Sequence, residues 1–209
     1  GIARVGGVAG LLRTHLQHHY QQLGLLFAGS EPALMRMLFS GHEQPFYAQA
    51  DLIDIGPLTA DAIGGLVASS FKATGRSAGP VGMRVAAFTG GHPQRSMQLA
   101  DAAWRLVDRG AKADESTWAE ALAAVRRATG SGLERLYSSL PAKERDVLRA
   151  IAGGGSPFGT AGELLELSTG AAQHARQSLL DAGHLHTNGS SIELVDPVFA
   201  DWLRERLPI

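Results

Sequence analysis

The chain has 209 residues and 44% hydrophobic content, enough for one large or two small domains, each with a core of its own. Nineteen basic and twenty acidic residues are interspersed to a formal net charge of −1, so no basic tail or acidic tract marks nucleic acid or a membrane surface as a partner. Cysteine is absent, which excludes disulfides, thiolate metal sites and a cysteine nucleophile and fits a cytoplasmic address.

Leu11 to Leu23 reads as a helix with a polar face (Arg13, His15, Gln17, His18, Gln21), stopped by Gly24. Leu25-Leu26-Phe27-Ala28 is a short, wholly apolar run, the pattern of a strand buried on both faces. A helix from Pro32 to Phe39 follows, with proline in its first turn, and then a second strand candidate at Ala50 to Ile55. Helix, buried strand and helix make one unit of an α/β sheet.

Beyond Gly75 the strand signals stop. Thr59 caps a helix carrying Ile63, Leu66, Val67 and Phe71 on one side. Val81 to Phe88, Pro93 to Val107 and Thr117 to Ala128 read as further helices, with Gly90-Gly91-His92-Pro93 as a break. Asp114 and Glu115 fall in a loop, where solvation accounts for them. Thr129-Gly130-Ser131-Gly132 reads as a hinge.

In the last third, Pro141 starts a helix to Ala152, Thr160 and Glu163 suggest a capping box, and Ser168 or Thr169 caps a helix ending at Gly183. His184 to Thr187 and Ile192 to Val195 flank Asn188-Gly189, a hairpin signal, and Pro197 to Leu207 reads as a terminal helix. Three helices, a hairpin and a helix are the order of a winged helix. On its third helix, Gln173, His174, Arg176 and Gln177 face outward, a candidate contact face for DNA or a protein partner. From Leu133 to Ile209 there are seven basic residues (Arg135, Lys143, Arg145, Arg149, Arg176, Arg204, Arg206). Ten acidic ones oppose them (Glu134, Glu144, Asp146, Glu163, Glu166, Asp181, Glu193, Asp196, Asp201, Glu205), a net of −3. That balance favours a protein partner over DNA, whose phosphates demand cations.

Several short motifs stand in a telling order: Leu26-Phe27-Ala28-Gly29-Ser30-Glu31-Pro32, Met35 to Phe39, Gln44-Pro45-Phe46-Tyr47, Ile53 to Leu58, and Thr89-Gly90-Gly91-His92-Pro93. In that order, and with the C-terminal winged helix, they resemble the AAA+/STAND P-loop ATPases of the archaeal type, C-terminal portion only. The resemblance implies a mainly α fold with a truncated α/β piece: a partial ATPase core at 1–58 with its sensor-1 strand, a helical lid at 59–130 and a winged-helix domain at 131–209. It also implies nucleotide-sensing roles for Ser30 at the end of the sensor strand, for Gly91, His92 and Pro93 beside base and sugar, and for Arg95 as a phosphate-sensing cation. Read from residue type alone, Ser30 is a turn residue before a proline, and His92-Pro93 stops one helix and starts another.

A phosphate loop needs Gly-Lys-Ser/Thr, and the three lysines, Lys72, Lys112 and Lys143, each follow a residue other than glycine. The Asp-Glu strand of the family is missing too. The resemblance therefore implies ATP or ADP with Mg2+ in an intact parent, and for this chain alone neither cofactor nor catalysis. With no initiating Met at Gly1, the chain reads as part of a longer protein, with a P-loop half or self-association completing its sheet. His15, His18 and His19 share helical spacing but lack an acidic neighbour, so a polar face explains them better than a metal site. No apolar run approaches the roughly 20 residues of a membrane helix. The alternative function is a winged-helix regulatory module that binds DNA or a protein.

Overall fold

The computed structural model describes residues 7–19, 22–29, 32–53 and 55–209, with backbone only at 32–34. It divides into two compact units, Gly1–Gly56 and Pro57–Ile209. The protein is mainly helical, as its sequence indicates, and the described strands form one two-stranded sheet. No described helix is long and apolar enough to cross a membrane.

The first unit contains α1 (Val8–Leu16) and α2 (Pro32–Ser40). The helix expected at 11–23 thus starts earlier and gives way to a turn after Leu16. The runs read as buried strands do not pair: 25–28 is irregular, with Leu26 91% exposed, and the described part of 50–55 is irregular with Ile55 95% exposed. An apolar run becomes a strand only where neighbouring backbone accepts its N–H groups, and none of the described residues does so here. What the first run does supply is Phe27, whose ring meets Phe39 and Phe46, each at 5.3 Å, while Phe39 and Phe46 stand 5.8 Å apart.

The second unit packs α3 (Ala60–Ala73), α4 (Val81–Thr89), α5 (Pro93–Arg105) and α6 (Glu115–Ser139) against α7 (Ala142–Ala152), α8 (Thr160–Leu164), α9 (Thr169–Asp181), the hairpin β1 (Leu185–Asn188) and β2 (Ser191–Leu194), and α10 (Pro197–Arg206). Thr59 caps α3 as its residue type indicates, accepting from the Ala62 N–H at 3.2 Å. Ile63, Val67 and Phe71 recur every four residues and are buried, forming the inward stripe of that helix. Gly82 lets α4 approach α3 closely, since a Cβ there would lie 3.1 Å from the Gly64 Cα. One continuous hydrophobic core runs from Ile63 to Leu203. Each fully buried large side chain in it contributes about 1.5–3 kcal/mol.

Helix α6 passes straight through the segment read as a hinge. Its buried positions Ala121, Val125 and Leu133 continue one stripe across Gly130 and Gly132, so packing outweighs the cost of about 1 kcal/mol per helical glycine. The helix also begins two residues earlier than its pattern indicates, because Asp114 is its N-cap. The carboxylate accepts from the Thr117 N–H at 2.9 Å, and the Thr117 hydroxyl returns to the Asp114 N–H at 3.2 Å. Glu115, in the first turn, pairs with Arg84 at 2.9 Å on the surface.

Ser168 caps α9, but Thr160 caps nothing: the N-cap of α8 is Gly159, without a side-chain bond. In the hairpin Asn188 faces Ser191 as the last pair of the ladder, so Gly189 and Ser190 make the turn. Gly189, at φ +59°, stands at the first turn position, where type II′ turns place glycine. The Leu185–Leu194 pair is buried and joins the hairpin to the core. Arg149 donates to the carbonyls of Leu207 and Pro208 and ties the terminal segment to α7.

Candidate functional site

Gly90, Gly91 and His92 make the break between α4 and α5. Gly90, at φ +56°, ends α4, and Gly91 follows at φ +92°. Gly91 is buried, its carbonyl accepts from the Leu58 N–H at 2.9 Å, and a Cβ on it would lie 2.3 Å from the Leu58 carbonyl oxygen. Only glycine fits there. His92 is the N-cap of α5, with Nδ1 accepting from the Arg95 N–H at 3.3 Å, and Pro93 occupies the first helical turn. Beneath the turn the hydroxyls of Thr89 and Ser96, both buried, meet at 2.8 Å and fasten the end of α4 to the start of α5. The turn therefore does the work of stopping one helix and starting the next, and it leaves His92 half-buried and Pro93 exposed.

Arg95 is committed to a partner 101 residues away. Its Nε donates to Asp196 Oδ1 at 2.9 Å, its Nη2 to Oδ2 at 2.5 Å, and its Nη1 to Gln98 Oε1 at 2.6 Å. The two charged side chains are 13% and 27% exposed. Asp196 is at the same time the N-cap of α10, its Oδ1 accepting from the N–H groups of Val198 at 2.9 Å and Phe199 at 3.3 Å. The Arg95–Asp196 fork is a bidentate, charge-assisted pair, the stronger kind of hydrogen-bonded contact.

A second fork joins α10 to α6. Arg126 donates through Nε and Nη2 to Asp201, both at 2.9 Å, and its Nη1 reaches Glu205 at 2.5 Å. The hydrogen bonds to Asp201 hold the Arg126 proton more tightly than usual, against the opposing effect of burial. Helix α10 is thus gripped near its start by α5 and along its length by α6. Sequence reasoning singled out Arg95 but neither acid that matters most here. Asp196 carries a local signal, an N-cap residue followed by proline, whereas Asp201 carries none.

The outward face of α9 is as its period indicates. Gln173, His174 and Gln177 are exposed and Arg176 is half-buried. Two of the four have partners: the Arg176 guanidinium lies 5.8 Å from the Phe158 ring, and Gln177 Nε2 donates to Asp181 at 2.8 Å. Ser30 lies outside the described residues. Among the described residues no group of three or more His, Cys, Asp or Glu is placed to hold a metal ion, and the His15 and His19 rings lie 5.6 Å apart on an exposed face.

No family model and no curated protein matches the chain. Among solved structures the chain is similar to the Walker-type ATPase PABY2304 of Pyrococcus abyssi, with a TM-score of 0.68 and 18% identity. The match covers 96% of this chain and 59% of that one, so the chain spans about three fifths of that protein's length. At this identity the likeness establishes a shared fold.

Proposed function

We propose that the chain is the C-terminal part of an ATP-binding protein of the AAA+/STAND type. In this reading residues 59–130 are the helical lid, residues 131–209 the winged helix, and residues 1–58 the end of the ATPase core carrying Ser30 as its sensor. The observation that carries the reading is the likeness over 96% of the chain to a protein named as a Walker-type ATPase, of which 41% lies beyond the match.

The residues present do not fit the phosphates of a nucleotide. Gly-Lys-Ser/Thr does not occur in the 209 residues, and the Arg95 guanidinium is engaged by Asp196 and Gln98. No hydrolytic step is assigned to this chain. His92 and Pro93 remain suited to packing beside a base and sugar, with Gly91 buried behind them against Leu58, while Mg2+ and the phosphates would belong to a P-loop segment of the parent. The two Arg–Asp forks carry lid and winged helix as one body, so nucleotide would move both together. A cytoplasmic address accompanies this reading.

A complete reading frame that encodes a Gly-Lys-Ser/Thr segment before Gly1 is the expected result, together with no phosphate release from ATP by the 209-residue protein. A frame without that segment overturns the proposal, and so does turnover by the purified chain. A second reading is favoured by the exposed Gln173, His174 and Gln177: α9 contacts a protein partner. The net charge of −3 from Leu133 to Ile209 argues against DNA as that partner.

A further inference from the structure

Between α6 and α10 lies a small groove of about 110 Å³, floored by Leu133, Val198 and Trp202. Its rim carries Arg127 and Arg206, both exposed and neither with an ion pair or hydrogen bond among the described residues. The remaining charges in the wall, Arg126 and Glu205, pair at 2.5 Å, and because Asp201 shares the same guanidinium that cluster keeps one negative charge. The two charged side chains of the lining that lack a partner among the described residues, Arg127 and Arg206, are both positive, and with the Arg126–Asp201–Glu205 cluster counted the local sum stays at +1. Trp202 packs on Tyr137 at 5.7 Å and Phe199 at 6.1 Å, while its indole N–H has no acceptor among the described residues.

Gly130 lines the groove from inside α6, where glycine is unfavourable relative to alanine. Packing does not demand it: a Cβ there would meet nothing within 4 Å, and its φ is not positive. Glycine there leaves open space at the groove wall, which a side chain would begin to fill. The volume is below the roughly 300–1,000 Å³ of small-molecule pockets and suits one inserted side chain.

We propose that this groove docks an acidic segment of a protein partner, one apolar side chain entering over Trp202 and flanking carboxylates meeting Arg127 and Arg206. Arginine forks match carboxylates, and an aromatic floor with an arginine rim is the composition of an anchoring pocket. Nucleic acid fits less well, because its affinity comes from many neutralised phosphates and only two unpaired cations stand here. The inference is independent of the nucleotide reading.

The test is fluorescence polarisation with a labelled five-residue peptide, leucine flanked by two aspartates and two glutamates, and with its amide counterpart carrying asparagine and glutamine. Saturable binding of the acidic peptide is expected, weakened about tenfold in the amide peptide and in the Arg127→Ser/Arg206→Ser variant. Gly130→Ala should fold with at least the wild-type midpoint in urea and yet bind several-fold more weakly. Absence of saturable binding overturns the proposal, as does equal binding of both peptides, binding unchanged by the variants, or displacement of the peptide by a short single-stranded DNA at a lower concentration than by unlabelled peptide.

Discussion

Asp196 accepts both arms of the Arg95 guanidinium, at 2.9 and 2.5 Å, with the same carboxylate that caps α10. One side chain therefore sets the start of a helix and holds it to another helix that is remote in sequence. Removing Arg95 leaves a carboxylate only 27% exposed without its cation, whereas removing Asp196 also frees two N–H groups of α10. Arg95→Met should cost about 2 kcal/mol and Asp196→Ala about 3 kcal/mol in urea unfolding, with Asp196→Asn nearer the first because the cap survives. A double-mutant cycle should return a coupling of about 1–2 kcal/mol, and additivity would show that the fork contributes nothing beyond its parts.

Gly91 and Gly132 separate two uses of glycine. At Gly91 the φ of +92° and the 2.3 Å approach of the Leu58 carbonyl forbid a side chain, so Gly91→Ala should destabilise by about 3 kcal/mol. Gly132 is exposed inside α6 with open space around it, and Gly132→Ala should stabilise by about 1 kcal/mol. Thermal unfolding of both variants measures the two signs.

Asp114 makes the start of α6 sensitive to acid. The Ser116 hydroxyl, then the Thr117 N–H and hydroxyl, bind its carboxylate and lower its pKa from 3.8 to about 2. Because the folded value lies below the unfolded one, this contribution is complete above about pH 4 and is lost as pH falls through about 2. Carboxyl NMR should find a midpoint near 2 for Asp114, and Asp114→Asn should flatten that part of the stability profile.

Where sequence and structure agree, the signal is local. Thr59 and Ser168 cap the helices they precede, Gly90-Gly91 breaks the chain, and the outward face of α9 follows the 3.6-residue period. Where they part, the deciding energy is non-local. Leu25 to Ala28 has the composition of a buried strand but gains no neighbour among the described residues, and Gly130-Ser131-Gly132 has the composition of a hinge but lies on a helix whose inward stripe is packed. The Asp114 cap was readable as Asp with Thr three residues on. The pairing of Arg95 with Asp196 across 101 residues was not, because no local pattern records which acid a folded arginine meets.

The central proposal, a lid that packs beside the base of a nucleotide, is tested most directly by photolabelling. The polypeptide of the complete reading frame would be irradiated with an azido-adenine nucleotide and its labelled peptides mapped by mass spectrometry. Label on the Gly91 to Arg95 segment, displaced by ATP, is the expected result. ATP-sensitive labelling that spares residues 57–209 entirely would contradict it.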